Sequence, residues 1–195
     1  MKSASSPHLK DPRHLLDLFM PLEFFYAGRN EEMPFPSLIP GHEMPEPYRH
    51  LLVHESDMTP RLRQFHGSSI GLRVVESQVS DNFVMRLVVL ERADTGAPVE
   101  IGAIGIQLDG FYEPLRQAIL AGHVPLGGLL EESQIDHESS PKAYFSLTAD
   151  AFLSQLLGAA EGSVLYGRCN ALSHSGGIVF ADIVEILPLH GASHA

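Results

Sequence analysis

The stretch that most constrains this chain is Phe83-Val-Met-Arg-Leu-Val-Val-Leu90, a run of strand-forming residues interrupted by a single charge. On an extended strand alternate side chains point to opposite faces. Arg86 therefore shares one face with Val84, Val88 and Leu90, while Phe83, Met85, Leu87 and Val89 form the other. A strand apolar on both faces is a central strand covered on both sides. A guanidinium buried there is costly unless an anion meets it. Either a carboxylate elsewhere in the chain supplies that anion, or a carboxylate-bearing ligand does.

The flanking sequence places this strand in a meander. Ile70–Val79, Phe83–Glu91 and Val99–Leu108 read as three strands, and the connections Ser80-Asp-Asn and Asp94-Thr-Gly-Ala-Pro98 are short enough for hairpins. Upstream, Tyr48, Leu51, Leu52 and Glu55 fall at helical spacing and predict a helix of about three turns. Thr59-Pro60 predicts a second helix start, with threonine as N-cap, and that helix stops at Gly67. Downstream, Phe111, Leu115, Ala118 and Ile119 form the apolar face of a helix ending at Gly122, and Pro125-Leu-Gly-Gly-Leu-Leu130 turns into a short helix. Residues 132–142 read as a polar loop, and Thr148 as the cap of a helix running to Leu157. Ser163–Leu172 and Ile178–Leu187 are the last two strands. The expected fold is α+β: one antiparallel sheet of five to six strands with helices packed on it.

Before this domain, residues 1–12 read as a mobile polar end, and Pro12–Phe19 as a short helix. From Pro21 to Pro47 prolines recur too often for regular structure, which predicts an irregular wrap over the surface, a lid or an occluding segment. The expected division is therefore a proline-rich extension over 1–45 and a single domain over 46–190.

Composition excludes several function classes. A net charge of −11 and no Lys/Arg-rich run argue against nucleic acid and anionic membrane as partners. No apolar segment has the length of a membrane span, and no apolar core follows the first lysine, so a cytoplasmic location is expected. One cysteine, Cys169, leaves no disulfide framework. His50 and His54 have the i, i+4 spacing of a zinc helix, but Leu51 stands where the general-base glutamate of that motif belongs, and no metal is expected.

The order of motifs carries a resemblance. Leu51-Leu-Val-His-Glu-Ser-Asp-Met-Thr59 is followed by Arg86 on its apolar strand, Pro125-Leu-Gly127, Leu165-Tyr-Gly-Arg168 and Val184-Glu-Ile186 before a closing Leu-Pro. Over roughly residues 48–188 this resembles the chorismate pyruvate-lyase family, which eliminates pyruvate from chorismate to give 4-hydroxybenzoate. The resemblance implies that Arg86 anchors the ring carboxylate through its planar fork. It also implies that Met58 and Leu126 stand at two turns lining the substrate, and that Glu185 meets the ring hydroxyl as the second catalytic residue. The final hairpin is longer than the family pattern, which leaves Asp182 as the alternative acid. The two acids lie an odd number of residues apart on one strand, so only one can share a pocket with Arg86. The chemistry implied needs no metal or organic cofactor. The same fold also occurs as the effector-binding domain of some transcription regulators, so a non-catalytic binder of a small aromatic carboxylate is the alternative reading.

Overall fold

A computed structural model describes residues 12–188. The polar start assigned to residues 1–12 lies, for 1–11, outside the described residues, as do 189–195. Seven strands form one antiparallel sheet, two more than the minimum expected. They are β1 (Ser37–Leu38), β2 (Ile70–Val79), β3 (Phe83–Arg92), β4 (Pro98–Gln107), β5 (His137–Thr148), β6 (Val164–His174) and β7 (Val179–Leu187), in the order β1-β5-β6-β7-β4-β3-β2. Strands β2, β3 and β4 form the expected meander, and β7 inserts beside β4. The middle of the sheet is thus β7, and β3 lies one strand in from an edge. It is nonetheless covered on both faces, with Val84 through Leu90 all buried.

Among the described residues six α-helices cover the sheet: α1 (Pro12–Gly28), α2 (Tyr48–Leu52), α3 (Met58–His66), α4 (Glu113–Ala121), α5 (Leu126–Glu132) and α6 (Ala151–Leu157). Helices α1 and α6 lie on one face, where Phe19, Leu22, Phe25 and Tyr26 meet Leu87, Val89, Ile101, Ala103, Val184 and Ile186. On the other face α4 and α5 cover Val84, Ile104, Ile106 and Leu172, while α2 and α3 cover Val88, Leu90 and Leu187. Burial on both sides of β3 and β4 is what a two-face covering demands, whereas the edge-side strand β2 has no buried residue.

Five local expectations are corrected. Pro21 does not prevent regular structure: α1 runs through it to Gly28 at the loss of one backbone hydrogen bond, whereas residues 29–47 are irregular as expected, β1 and a 3-10 turn over Gly41–Glu43 apart. Burial of Phe19, Leu22, Phe25 and Tyr26 at helical spacing offsets that loss, and Tyr26 donates to Asp150 across 2.8 Å. Because α1 covers the face opposite the pocket described below, it is neither lid nor plug; the segment before residue 46 contributes a core helix and an edge strand. Residues 137–142 belong to β5 rather than a polar loop. Their side chains carry no apolar alternation, and Pro141 stands at a register shift, one of the places a strand tolerates proline. Helix α2 has five residues, not three turns, because its end is pulled into the turn that wraps Arg168. Finally, α3 starts at Met58 after Asp57, one residue before the predicted cap, and α6 is capped by Asp150, which accepts from the Leu153 N–H at 2.8 Å; Thr148 ends β5 instead.

Candidate functional site

Strand parity decides which charges meet. The even residues of β3, β4 and β6 and the odd residues of β7 face α2–α5, so Arg86, Glu100, Arg168, Asn170 and Glu185 share one face. Asp182 has the opposite parity, is exposed, and lies away from the pocket. Of the two alternative acids, Glu185 is the one on the face of Arg86. The face lines a cavity of about 80 Å³. Met58, Arg86, Leu126 and Glu185 all line it, as do Glu100, Asn170 and Asp57.

Arg86 is 5% exposed. Its Nη2 donates to the carbonyl oxygens of Ile119 at 2.7 Å and Leu120 at 3.4 Å, at the C-terminus of α4. Helix C-termini present unsatisfied carbonyls and a partial negative charge, so this helix end holds one edge of the guanidinium. Gly122 makes the approach close: it takes φ +64° as the helix C-cap, and a Cβ there would sit 3.2 Å from the guanidinium carbon. Among the described residues no carboxylate lies within ion-pair distance of Arg86, and its buried Nε has no hydrogen-bond partner. Burial alone lowers its pKa. Among the described residues the guanidinium thus meets carbonyl groups rather than a carboxylate of the chain; they hold the cation part-way and leave it facing the pocket.

Arg168 is the opposite case. It is fully buried, and its Nε donates to Glu185, its direct cross-strand neighbour. Its remaining nitrogens donate to the carbonyls of Leu52 at 3.3 Å, His54 at 3.0 Å and Ser56 at 3.2 Å. The Leu51–Thr59 motif therefore wraps its backbone around this guanidinium. His54 completes the wrap as a neutral ring, its pKa pushed down to about 4 by burial and by the charge of Arg168. Nε2 lies 2.7 Å from the Leu51 carbonyl, and Nδ1 receives the Ser56 N–H and lies 3.3 Å from Arg168 Nη1, which fits the Nε2–H tautomer. The glycine of Leu165-Tyr-Gly-Arg168 also has a structural reason, since a Cβ on Gly167 would collide with the Phe145 ring and the Glu185 carbonyl.

Glu185 is thus both a pocket wall and the counter-ion of Arg168. The raised acid of the site is a different residue, Glu100, which sequence reading passed over. It is 4% exposed, and its Oε2 has no partner. Burial first, then the neighbouring Glu185 charge, hold its carboxyl well above the usual range, against a smaller opposing effect of Arg168. A signal was available: Val99–Ile106 is apolar on both faces with one charge, the same pattern that marks Arg86 on the adjacent strand.

The rim is formed by the two turns of the motif set. A Cβ on Gly127 would lie 3.3 Å from Asp57, so the Pro125-Leu-Gly turn rests directly on the start of α3. Asp57 is clasped in turn by His137, whose Nε2 lies 3.0 Å from Oδ2 and whose Nδ1 lies 3.0 Å from the Ile135 carbonyl. Both ring nitrogens face acceptors, which only the imidazolium satisfies. Burial lowers its pKa, but the Ile135 carbonyl and Asp57 together outweigh that, and the net shift is upward. A folded pKa above the unfolded value of about 6.5 gives stability that is fully present below that pH and is lost as pH rises through the folded value. Wild type is therefore expected to be more stable than His137→Gln at about pH 6, with the difference shrinking by about pH 8.5. Urea melts of both proteins at the two pH values check this; a difference unchanged by pH would show a neutral clasp.

Among the described residues no group of three or more His, Cys, Asp or Glu is arranged to hold a metal ion, and no helix is long and apolar enough to cross a membrane. No family model matches the chain, and no curated protein matches it by sequence. Solved structures do match. PhnF from Mycobacterium smegmatis aligns over 89% of this chain and 99% of its own, with TM-score 0.54 and 12% identity. The gene product SA0254 from Staphylococcus aureus aligns over 70% and 90%, with TM-score 0.52 and 7% identity. A domain described as the ligand-binding domain of a candidate GntR-family transcriptional regulator from Bordetella bronchiseptica aligns over 60% and 85%, with TM-score 0.48 and 16% identity. At such identities the likeness is one of fold, and the chain has the α+β architecture of PhnF, a helix-covered antiparallel sheet, along nearly its whole length.

Proposed function

We propose that this domain binds a small aromatic carboxylate, with Arg86 as the anchor for the ligand's anionic group. The observation that carries the reading is a buried guanidinium that lines a cavity, lacks any carboxylate partner among the described residues, and keeps an unpartnered Nε. A planar fork held at one edge by helix carbonyls offers its free edge to a carboxylate, and the apolar walls Val88, Leu90, Ile104 and Ile106 suit a ring. Binding without turnover is favoured over catalysis by the state of Glu185. Its carboxylate is tied to Arg168, whereas a proton-handling group needs freedom to exchange its proton with the substrate.

Chorismate pyruvate-lyase activity is the second reading. The observation in its favour is that Met58, Arg86, Leu126 and Glu185, the four positions implied by the motif resemblance, line one cavity. Two measurements separate the readings. Calorimetric titration with 4-hydroxybenzoate tests binding, and a lactate dehydrogenase-coupled assay of pyruvate release from chorismate, with EDTA present, tests turnover. The binder reading expects heat of binding and no pyruvate above the spontaneous rate. Pyruvate release that Glu185→Gln abolishes would establish the lyase instead, and absence of both signals would remove both readings.

A further inference from the structure

Four ionisable side chains line the cavity: Asp57, Arg86, Glu100 and Glu185. Asp57 is occupied by His137, Arg86 is the proposed anchor, and Glu185 is occupied by Arg168. Glu100 has no such employment. Its Oε1 overlies Gly102, where an added Cβ would come within 3.6 Å of it, and its Oε2 is buried and unpartnered. Gly102 is the cross-strand partner of Glu185, so Glu100 and Glu185 are diagonal neighbours on the same face with no side chain between them. Arg168 directs its donors to Glu185 and to the carbonyls of Leu52, His54 and Ser56. Arg86 stands opposite Ile104, four residues further along β4, which is about 13 Å of strand. The cation and the acid pair are therefore at opposite ends of one cavity.

We propose that Glu100 and Glu185 together form a hydroxyl-reading, charge-excluding end of the pocket, so that the site takes hydroxylated monocarboxylates and rejects dicarboxylates. This deepens the binding mode proposed above and rests on it. A ligand hydroxyl donates to the Glu185 carboxylate and accepts from the Glu100 O–H, which gives the orphaned Oε2 a partner. A second carboxylate at this end would meet the charge of Glu185 without a cation free to answer it. A ligand ammonium would require Glu100 to lose its proton, and its binding would strengthen with rising pH, whereas hydroxyl binding weakens. The charged and titratable groups around Glu100 are Glu185 on β7, Arg168 on β6, Arg86 further along β3, and His54 and Asp57 from the α2–α3 turn. All of these remain in a Glu100→Gln protein, so comparison with it isolates Glu100.

The test is calorimetric titration of wild type, Glu100→Gln and Glu100→Leu with three probes whose para groups do not titrate between about pH 6 and about pH 9: 4-(hydroxymethyl)benzoate, 4-methylbenzoate and terephthalate. Wild type is expected to bind the hydroxymethyl compound about tenfold or more tightly than either other probe at about pH 6, and to lose part of that preference as pH rises. Glu100→Gln keeps a donor and is expected to retain the preference with no pH dependence. Glu100→Leu is expected to lose it. Equal binding of the three probes by wild type, or the same pH slope in wild type and Glu100→Gln, overturns the proposal; should the Gln protein not fold, retained preference in Glu100→Leu overturns it as well. If neither 4-(hydroxymethyl)benzoate nor 4-methylbenzoate binds wild type, the Arg86-anchored reading fails and this inference with it. If they bind and the hydroxyl and pH comparisons are flat, only this inference fails.

Discussion

Arg168→Met is expected to destabilise the protein by about 3–5 kcal/mol, the largest effect of any single change discussed for this chain. Arg168 has no solvent exposure, and removing it strands Glu185, itself 4% exposed, as a buried anion beside Glu100. It also removes the Arg168 donor from the carbonyls of His54 and Ser56, and one of two donors from that of Leu52, and these belong to the turn that leads into α3 at the pocket rim. The double substitution Arg168→Met with Glu185→Leu removes the stranded charge, and should recover a substantial part of the loss, since an apolar pair of similar volume replaces an ion pair at little cost. Denaturant unfolding of the three proteins measures both. A single variant within about 1 kcal/mol of wild type would mean that the pair contributes little and that the turn is held by other contacts.

Arg86→Met is expected to behave in the contrary way: binding is lost while the ligand-free protein keeps its stability. Truncating a buried charge that meets a ligand carboxylate costs about 2–5 kcal/mol of binding, which should remove the thermal shift that 4-hydroxybenzoate gives wild type. The free protein loses hydrogen bonds to Ile119 and Leu120 but also loses the cost of a desolvated guanidinium with an unpartnered Nε. Ile119 keeps a donor, because the Gly122 N–H also reaches its carbonyl. The unfolding free energy should therefore fall by no more than about 1 kcal/mol, and a methionine of similar reach leaves no large void. Undiminished binding by the variant would remove Arg86 as the anchor. A destabilisation as large as that of Arg168→Met would reassign Arg86 to the structural core. The two arginines thus differ in a measurable way: one is paired with a carboxylate inside the fold, the other is held by carbonyl groups at a helix end.

Much of this was legible in the sequence. The strand limits of the meander, the glycine stops at Gly67 and Gly122, and the burial of Arg86 on a two-faced strand follow from local periodicity and local turn chemistry. So does the separation of Glu185 from Asp182, because parity along a strand is a property of that strand alone. Helix α1 and strand β5 were not legible. In the first, Pro21 is outweighed by aromatic residues that find their partners only across the sheet; in the second, a polar strand is held by its pairing with β6. Parity told which face each charge takes, but partners are set by lateral strand order. The sequence by itself placed Arg86, Arg168 and Glu185 on strands, and Arg86 on a buried one. Only the tertiary structure, by setting β7 between β6 and β4, gave Glu185 to Arg168, left Glu100 beside it without a partner, and brought the end of α4 to Arg86, because the energy of a buried charge depends on neighbours that no local pattern specifies.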